Sequence, residues 1–234
     1  MQSTHIDHFR AHGYVRLSGF HPRKRMAPVR QQLLDELKRL KIWAAGKSLS
    51  SAWRGMPPFQ QIARLATLVK APGVHEAWMT SELLANVAAL AGREPGREHQ
   101  ATQLLLSLPH QGNWTLQGLN WHVDVTAEPP ERLPGIQAFV LIDDVAPHGG
   151  ATLALAGSHL IHGGPGAAGR LLRERLKMSK VLPGDLQALG IDIVEMSGSA
   201  GDVFLMDMRL LHTPSINATK HIRMMATSRF ILAP

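Results

Sequence analysis

The spacing of apolar residues changes character near residue 100. Over residues 22–42, Met26, Val29, Leu33, Leu37 and Leu40 recur at steps of three and four. That spacing puts them on one stripe of a cylinder and predicts a helix. Residues 58–70 (Ile62, Leu65, Leu68, Val69) and 72–91 (Leu83, Leu84, Val87, Leu90) repeat the pattern, and Gly92 stops the last of them. A short helix is expected from a Ser3 or Thr4 cap to His12, ended by Gly13, with Tyr14–Leu17 extended behind it. Residues 43–57 carry Gly, Ser and Pro and read as a loop.

Beyond Gly96 the period becomes two. Ile136, Ala138, Val140 and Ile142 alternate with Gln137, Phe139, Leu141 and Asp143, as on a strand. Residues 103–108, 152–155, 191–196, 203–206 and 222–232 also read as strands, separated by Gly- and Pro-rich turns. Residues 167–189 interrupt them with helical spacing. Short strands between turns indicate a β-sandwich or barrel. The expected fold class is therefore α+β, as one domain over 1–234: a mainly helical part over 1–100, then a double-sheet barrel over 101–234 with a helical insertion at about 165–190. No internal repeat, low-complexity tract or linker is visible.

Composition narrows the chemistry. The chain has 234 residues, 44 % of them apolar, and no cysteine. A disulfide scaffold and any thiolate-ligated zinc or iron–sulfur centre are excluded, and the apolar content suits a packed core. No stretch approaches the ~20 apolar residues of a membrane span, so no membrane partner is expected. The opening MQSTHIDHFRAHGYVRL lacks the layout of a signal peptide. A cytoplasmic location is the expectation. The net charge of +7 is uneven. It belongs to residues 1–100 and to a basic run at 170–180, while the rest of the second half is acidic. Either an anionic partner or solvated helix faces explain it, and a nucleic-acid partner is not expected.

The most informative residues are Trp121-His122-Val123-Asp124. On an extended backbone, positions 122 and 124 point the same way, so an imidazole and a carboxylate converge. His212 follows far downstream, in Leu210-Leu-His-Thr-Pro. Two histidines and one carboxylate match the facial triad of non-haem Fe(II) oxygenases, which leaves coordination positions open. Arg223 lies eleven residues after His212, on an apolar strand. A guanidinium there needs an anionic partner: a carboxylate ligand, or a structural mate such as Asp202 or Asp207.

These features together resemble the phytanoyl-CoA dioxygenase family of Fe(II)/2-oxoglutarate oxygenases. The opening Phe9–Phe20, the His122-Val-Asp124 motif, Leu141-Ile-Asp-Asp-Val with Gly149-Gly-Ala-Thr and Gly157-Ser-His159, and the block Gly201–Asp207, His212, Asn217 and Arg223 follow the family's order. The chain departs from it at Ala156, His148 and Pro214. The resemblance implies a double-stranded β-helix (jelly roll, cupin-like) with N-terminal helices packed outside one sheet. It implies iron bound by His122, Asp124 and His212, with 2-oxoglutarate and dioxygen as cosubstrates. Arg223 would hold the distal carboxylate of 2-oxoglutarate, and Gln103 and Phe139 occupy places where family members touch the cosubstrate. The implied reaction is hydroxylation of an aliphatic C–H of a small, anionic metabolite, with release of succinate and CO2. The carboxylate at 124 separates the chain from related halogenases, which have Gly or Ala there.

Two other readings remain open. Arg223 and Arg229 face one side of the last strand, as in AlkB-type nucleic-acid demethylases, and the same triad could serve a jelly roll that binds metal without oxygenase activity. Arg170, Arg173, Lys177 and Lys180 share a helix face, which is expected to be either a basic lid over an anionic substrate or a solvated surface. Trp114 and Trp121 are expected near the metal, lining a pocket or packing in the core. Trp53 with the run 48–51 could form a loop over the site.

Overall fold

A computed structural model describes residues 1–44, 49–96, 101–125, 129, 131–161 and 167–232. Helices α1 (Ser3–His12), α2 (Arg23–Arg39), α3 (Pro58–Leu68), α4 (Val74–Trp78) and α5 (Ser81–Ala91) fill the first part, with strand β1 (Tyr14–Leu17) between α1 and α2. Strands β2 (Gln103–Ser107), β3 (Gly135–Leu141) and β4 (Thr152–Ala156) follow. After the helices α6 (Ala167–Met178) and α7 (Leu182–Gln187) come β5 (Asp192–Glu195), β6 (Val203–Asp207), β7 (His212–Pro214) and β8 (Arg223–Ile231). Five strands form one sheet in the order β1-β6-β3-β8-β2, and three form a second in the order β5-β4-β7. Every pairing is antiparallel. This is the expected jelly roll.

The expected helix boundaries shift in three places. The stretch 72–91 is two helices, because Thr80 adopts an extended backbone and its side chain accepts the Leu83 N–H, starting a new helix. The insertion is likewise two helices, α6 and α7. Gln2, rather than Ser3 or Thr4, stands at the cap of α1 and makes no side-chain cap bond.

Burial explains the alternation along β3, where every residue is buried because both sheet faces are covered. Ile136, Ala138 and Val140 turn outward and pack with Leu33, Leu37, Leu65 and Leu83 of the helices. Phe139 and Leu141 turn inward and meet Phe204, Met206 and Met225 between the sheets. A third cluster joins Leu155 and Leu211 of the small sheet's outer side to Leu172, Leu182 and Leu186 of α6 and α7. The small sheet is thus held from behind by the insertion.

A buried carboxylate ties the first strand to the barrel. Asp202 accepts from Arg16 at 2.6 Å, from the Gly19 N–H at 2.6 Å and from the Ser199 N–H at 2.9 Å. Beside it, Gly201 has φ +93°, and a Cβ there would lie 1.9 Å from the His21 carbonyl oxygen, so only glycine lets the two chains touch. Among the described residues no helix is long and apolar enough to cross a membrane.

Candidate metal centre

The two candidate histidines are far apart in the chain and adjacent in the fold. His122 and His212 form an antiparallel bridge, exchanging N–H···O bonds of 3.0 and 2.9 Å. Their ring centroids lie 4.4 Å apart. Asp124 follows on the same side of its segment, and one ligand atom from each of the three residues lies within 4.8 Å of the others. His212 Nε2 is 3.8 Å from Asp124 Oδ2.

Both rings are held in one tautomer. His122 Nδ1 donates to the Asn120 carbonyl at 2.9 Å, and His212 Nδ1 to the Leu210 carbonyl at 3.1 Å. A carbonyl only accepts, so the proton sits on Nδ1 and the Nε2 lone pair is left for a ligand role. Burial pushes the His212 pKa down to about 4, against the opposing pull of Asp124. His212 is therefore neutral at pH 7, the form a metal requires. Two imidazole nitrogens and a carboxylate oxygen fit Fe(II) and leave part of its coordination sphere open.

The triad borders a cavity of about 260 Å³. Its walls include Gln103, Leu105, Gln137, Phe139 and Thr227 of the large sheet, with Thr152 and Pro214 of the small one. Arg223 also lines it, and the side chain is only 2 % exposed. Its Nε and Nη2 are buried without a hydrogen-bond partner, and Nη1 reaches only the Met225 sulfur, at 3.7 Å. Desolvation alone drops its pKa to about 9. The two structural mates expected as alternatives are engaged elsewhere: Asp202 holds Arg16 and Asp207 holds Arg209, each at 2.6 Å. A buried fork of donors with no acid paired to it among the described residues fits the distal carboxylate of 2-oxoglutarate.

Gln103 and Phe139 lie in the cavity wall. Where two readings were open, the packing selects between them. No described residue of α6 lines the cavity, because Leu172 and Leu176 bury its apolar face behind the small sheet. The described residues of the helix lie off the cavity. Trp121 packs in that same rear cluster, on the face of its segment opposite His122. Trp114 stacks on His148 at 4.3 Å. Trp53 is buried among the N-terminal helices, with the Arg64 guanidinium 4.9 Å from its ring; Ser48 lies outside the described residues.

Some lining residues went unrecognised in the sequence. Phe59, Ile62 and Ala63 come from α3, whose periodicity announced only a core stripe. Gln137 and Thr227 were accessible in principle, since each falls on the inward phase of a strand already assigned. Arg229 was noted only as a partner of Arg223 on one strand face. In the structure it binds both oxygens of Asp124, Nε to Oδ2 at 3.0 Å and Nη2 to Oδ1 at 3.2 Å.

The sequence family agrees with this geometry. The family model described as Phytanoyl-CoA dioxygenase (PhyH) matches residues 9–225. The chain belongs to the phytanoyl-CoA dioxygenase family. It is accordingly an Fe(II)/2-oxoglutarate-dependent oxygenase, using dioxygen as the second cosubstrate.

Solved structures share the oxygenase's fold at low identity. AviO1 from Streptomyces viridochromogenes Tue57 superposes with a TM-score of 0.63 at 18 % identity, covering 100 % of this chain and 97 % of that one. The carbocyclase SnoK from nogalamycin biosynthesis, described as non-haem and α-ketoglutarate-dependent, gives 0.60 at 19 % identity, over 99 % and 84 % of the two chains. EctD from S. alaskensis, solved with 2-oxoglutarate and 5-hydroxyectoine, gives 0.64 at 16 % identity, over 99 % and 76 %. No curated protein sequence matches the chain significantly.

Proposed function

We propose that this oxygenase hydroxylates an aliphatic C–H of a small anionic metabolite, with conversion of 2-oxoglutarate to succinate and CO2. His122, Asp124 and His212 hold the iron. Arg223 takes the distal carboxylate of 2-oxoglutarate. The observation that carries this reading is the solitary Arg223 guanidinium, buried in the same cavity as the triad with two nitrogens unpartnered.

Fe(II) with 2-oxoglutarate supplies the activation of dioxygen, and the protein's residues prepare the place for it. The Asn120 and Leu210 carbonyls fix the two imidazoles with Nε2 toward the shared point. Arg223 orients 2-oxoglutarate by its far end, which leaves the keto-acid end for the metal. Gln103 and Phe139 flank the cosubstrate, and Phe139, Leu105 and Ile62 form apolar walls that exclude bulk water. Thr227 donates its hydroxyl to the Ala138 carbonyl at 2.8 Å and accepts from Gln137 Nε2 at 3.1 Å, so its rotamer is fixed. Gln137 Oε1 is left without a partner.

The test is an anaerobic Fe(II) titration followed by a succinate assay. A visible charge-transfer band that requires both Fe(II) and 2-oxoglutarate is expected in the wild type. Asp124→Ala is expected to lose the band and substrate-dependent succinate together. Succinate formation that survived Asp124→Ala would overturn the assignment of the triad. Tight zinc retention with no band would favour a metal-binding protein instead.

A further inference from the structure

We infer that Arg229 is the docking residue for the acid group of the substrate, which makes amphipathic carboxylates the substrate class of this site. The inference rests on the oxygenase reading above. The inward phase of β8 carries Arg223, Met225, Thr227 and Arg229 in a row. Arg223 closes the buried end at 2 % exposure, while the Arg229 side chain is 39 % exposed. Two guanidinium groups thus serve one cavity at different depths.

The geometry of the Arg229–Asp124 pair leaves Arg229 half used. Its contacts to Asp124 come from Nε and Nη2, which are the two donors of one edge of the planar fork. The remaining edge, Nη1 with the second Nη2 hydrogen, makes no further hydrogen bond among the described residues. It is a second two-pronged donor of the shape that carboxylates match. One edge of the guanidinium steadies the metal carboxylate, and the other is free for a ligand.

Charge points to the sign of that ligand. Of the described residues lining the cavity, only Asp124, Arg223 and Arg229 carry a fixed charge. Together they sum to one net positive charge. A divalent metal and doubly ionised 2-oxoglutarate offset each other. One positive charge therefore remains over the described lining, in a partly desolvated cavity where net charge is costly, and the unused edge of Arg229 is the donor that faces the open side. A monoanionic substrate removes that excess, and a cationic one doubles it.

The rest of the wall describes the substrate's body. Phe59 projects from α3 with 53 % of its surface exposed, and its ring lies edge-on to His122 at 6.3 Å. Ala63, Pro214 and Leu105 continue this apolar surface. An acid held on Arg229 would have its carbon chain against these residues, beside the triad. The basic stripe of α6, which lies off the cavity, has no part in this.

Binding to the full-length protein tests this without turnover. Fe(II) and 2-oxoglutarate are added anaerobically, and the charge-transfer band is followed while butyrate and hexanoate are titrated against 1-butanol and 1-hexanol. In the wild type the carboxylates should perturb the band at concentrations at least about tenfold below the matching alcohols, as loss of a two-pronged ionic contact implies. Arg229→Gln should abolish that preference. Equal responses to acids and alcohols overturn the inference, as does an acid response that persists in Arg229→Gln, which would place the probe on Arg223 or the metal. If Arg229→Gln forms no band, Arg229→Lys decides: it keeps the charge but not the fork. A tenfold rise in the carboxylate dissociation constant supports the docking role, and an unchanged constant overturns it. Failure of the wild type to form any band is a different result, and it refutes the oxygenase reading itself.

Discussion

Replacing Arg223 by Met should stabilise the ligand-free protein while removing its response to 2-oxoglutarate. The guanidinium is fully desolvated, and its pKa falls from the ordinary guanidinium value to about 9 for that reason alone. That fall corresponds to about 5 kcal/mol of charge-burial cost. The sign follows from linkage. A base with a depressed folded pKa penalises folding at every pH below that value, and the penalty fades only as pH rises above about 9 toward the ordinary guanidinium value. At pH 7 it is present in full. Relaxation and water entry reduce it in practice, and replacing even paired buried ions by apolar side chains of similar volume ranges from neutral to about 1–4 kcal/mol stabilising. Methionine fits the site, since Met225 already lies against the guanidinium. Urea unfolding of the metal-free protein should therefore give a higher midpoint for Arg223→Met with an unchanged slope. Added 2-oxoglutarate with a redox-inert divalent metal should stabilise the wild type, by about 2.7 kcal/mol at a hundredfold excess over the dissociation constant, and the variant much less. Loss of stability in Arg223→Met, with its 2-oxoglutarate response intact, would refute the reasoning. Arg223 would then be a structural residue whose partner is protein.

Other consequences concern residues outside the ligand set. His21 is buried, and burial with the nearby Arg25 charge lowers its pKa from 6.5 to about 4. The unfolded chain binds that proton first, so stability is full above pH 6.5 and falls toward pH 4. His21→Gln should show a shallower acid loss than wild type in unfolding midpoints measured across that range; parallel curves would exclude His21 as a cause. Gly201→Ala forces a side chain onto the His21 carbonyl at positive φ, and a loss of at least ~2 kcal/mol is expected by urea unfolding. A near-neutral result would mean the turn between β5 and β6 shifts freely. Phe59→Ala should leave the thermal midpoint almost unchanged, because the ring is largely exposed, but raise the KM for an amphipathic carboxylate several-fold. A large fall in stability with unchanged KM would make Phe59 a packing residue.

Much of this protein is written in local spacing. The step of three or four through Met26, Val29, Leu33 and Leu37 and the alternation along 136–142 each reflect which side of an element is buried, and both are properties of a short segment. His122 and Asp124 share a direction because they are two apart on extended chain. The order of His122, Asp124, His212 and Arg223, with its family pattern, was equally legible.

Meetings between distant segments were not. The hydrogen-bonded bridge that sets His122 beside His212 is a tertiary event. The meaning of Arg223 depended on Asp202 and Asp207 being occupied by Arg16 and Arg209, which only the folded chain decides. Amphipathic spacing told that α3 and α6 each bury a face. It could not tell against what: α3 walls the cavity, and α6 covers the back of the small sheet. The pairing of Arg229 with Asp124 belongs to the same category. Periodicity records how much of a residue is hidden from water, and long-range packing selects the partner it is hidden against.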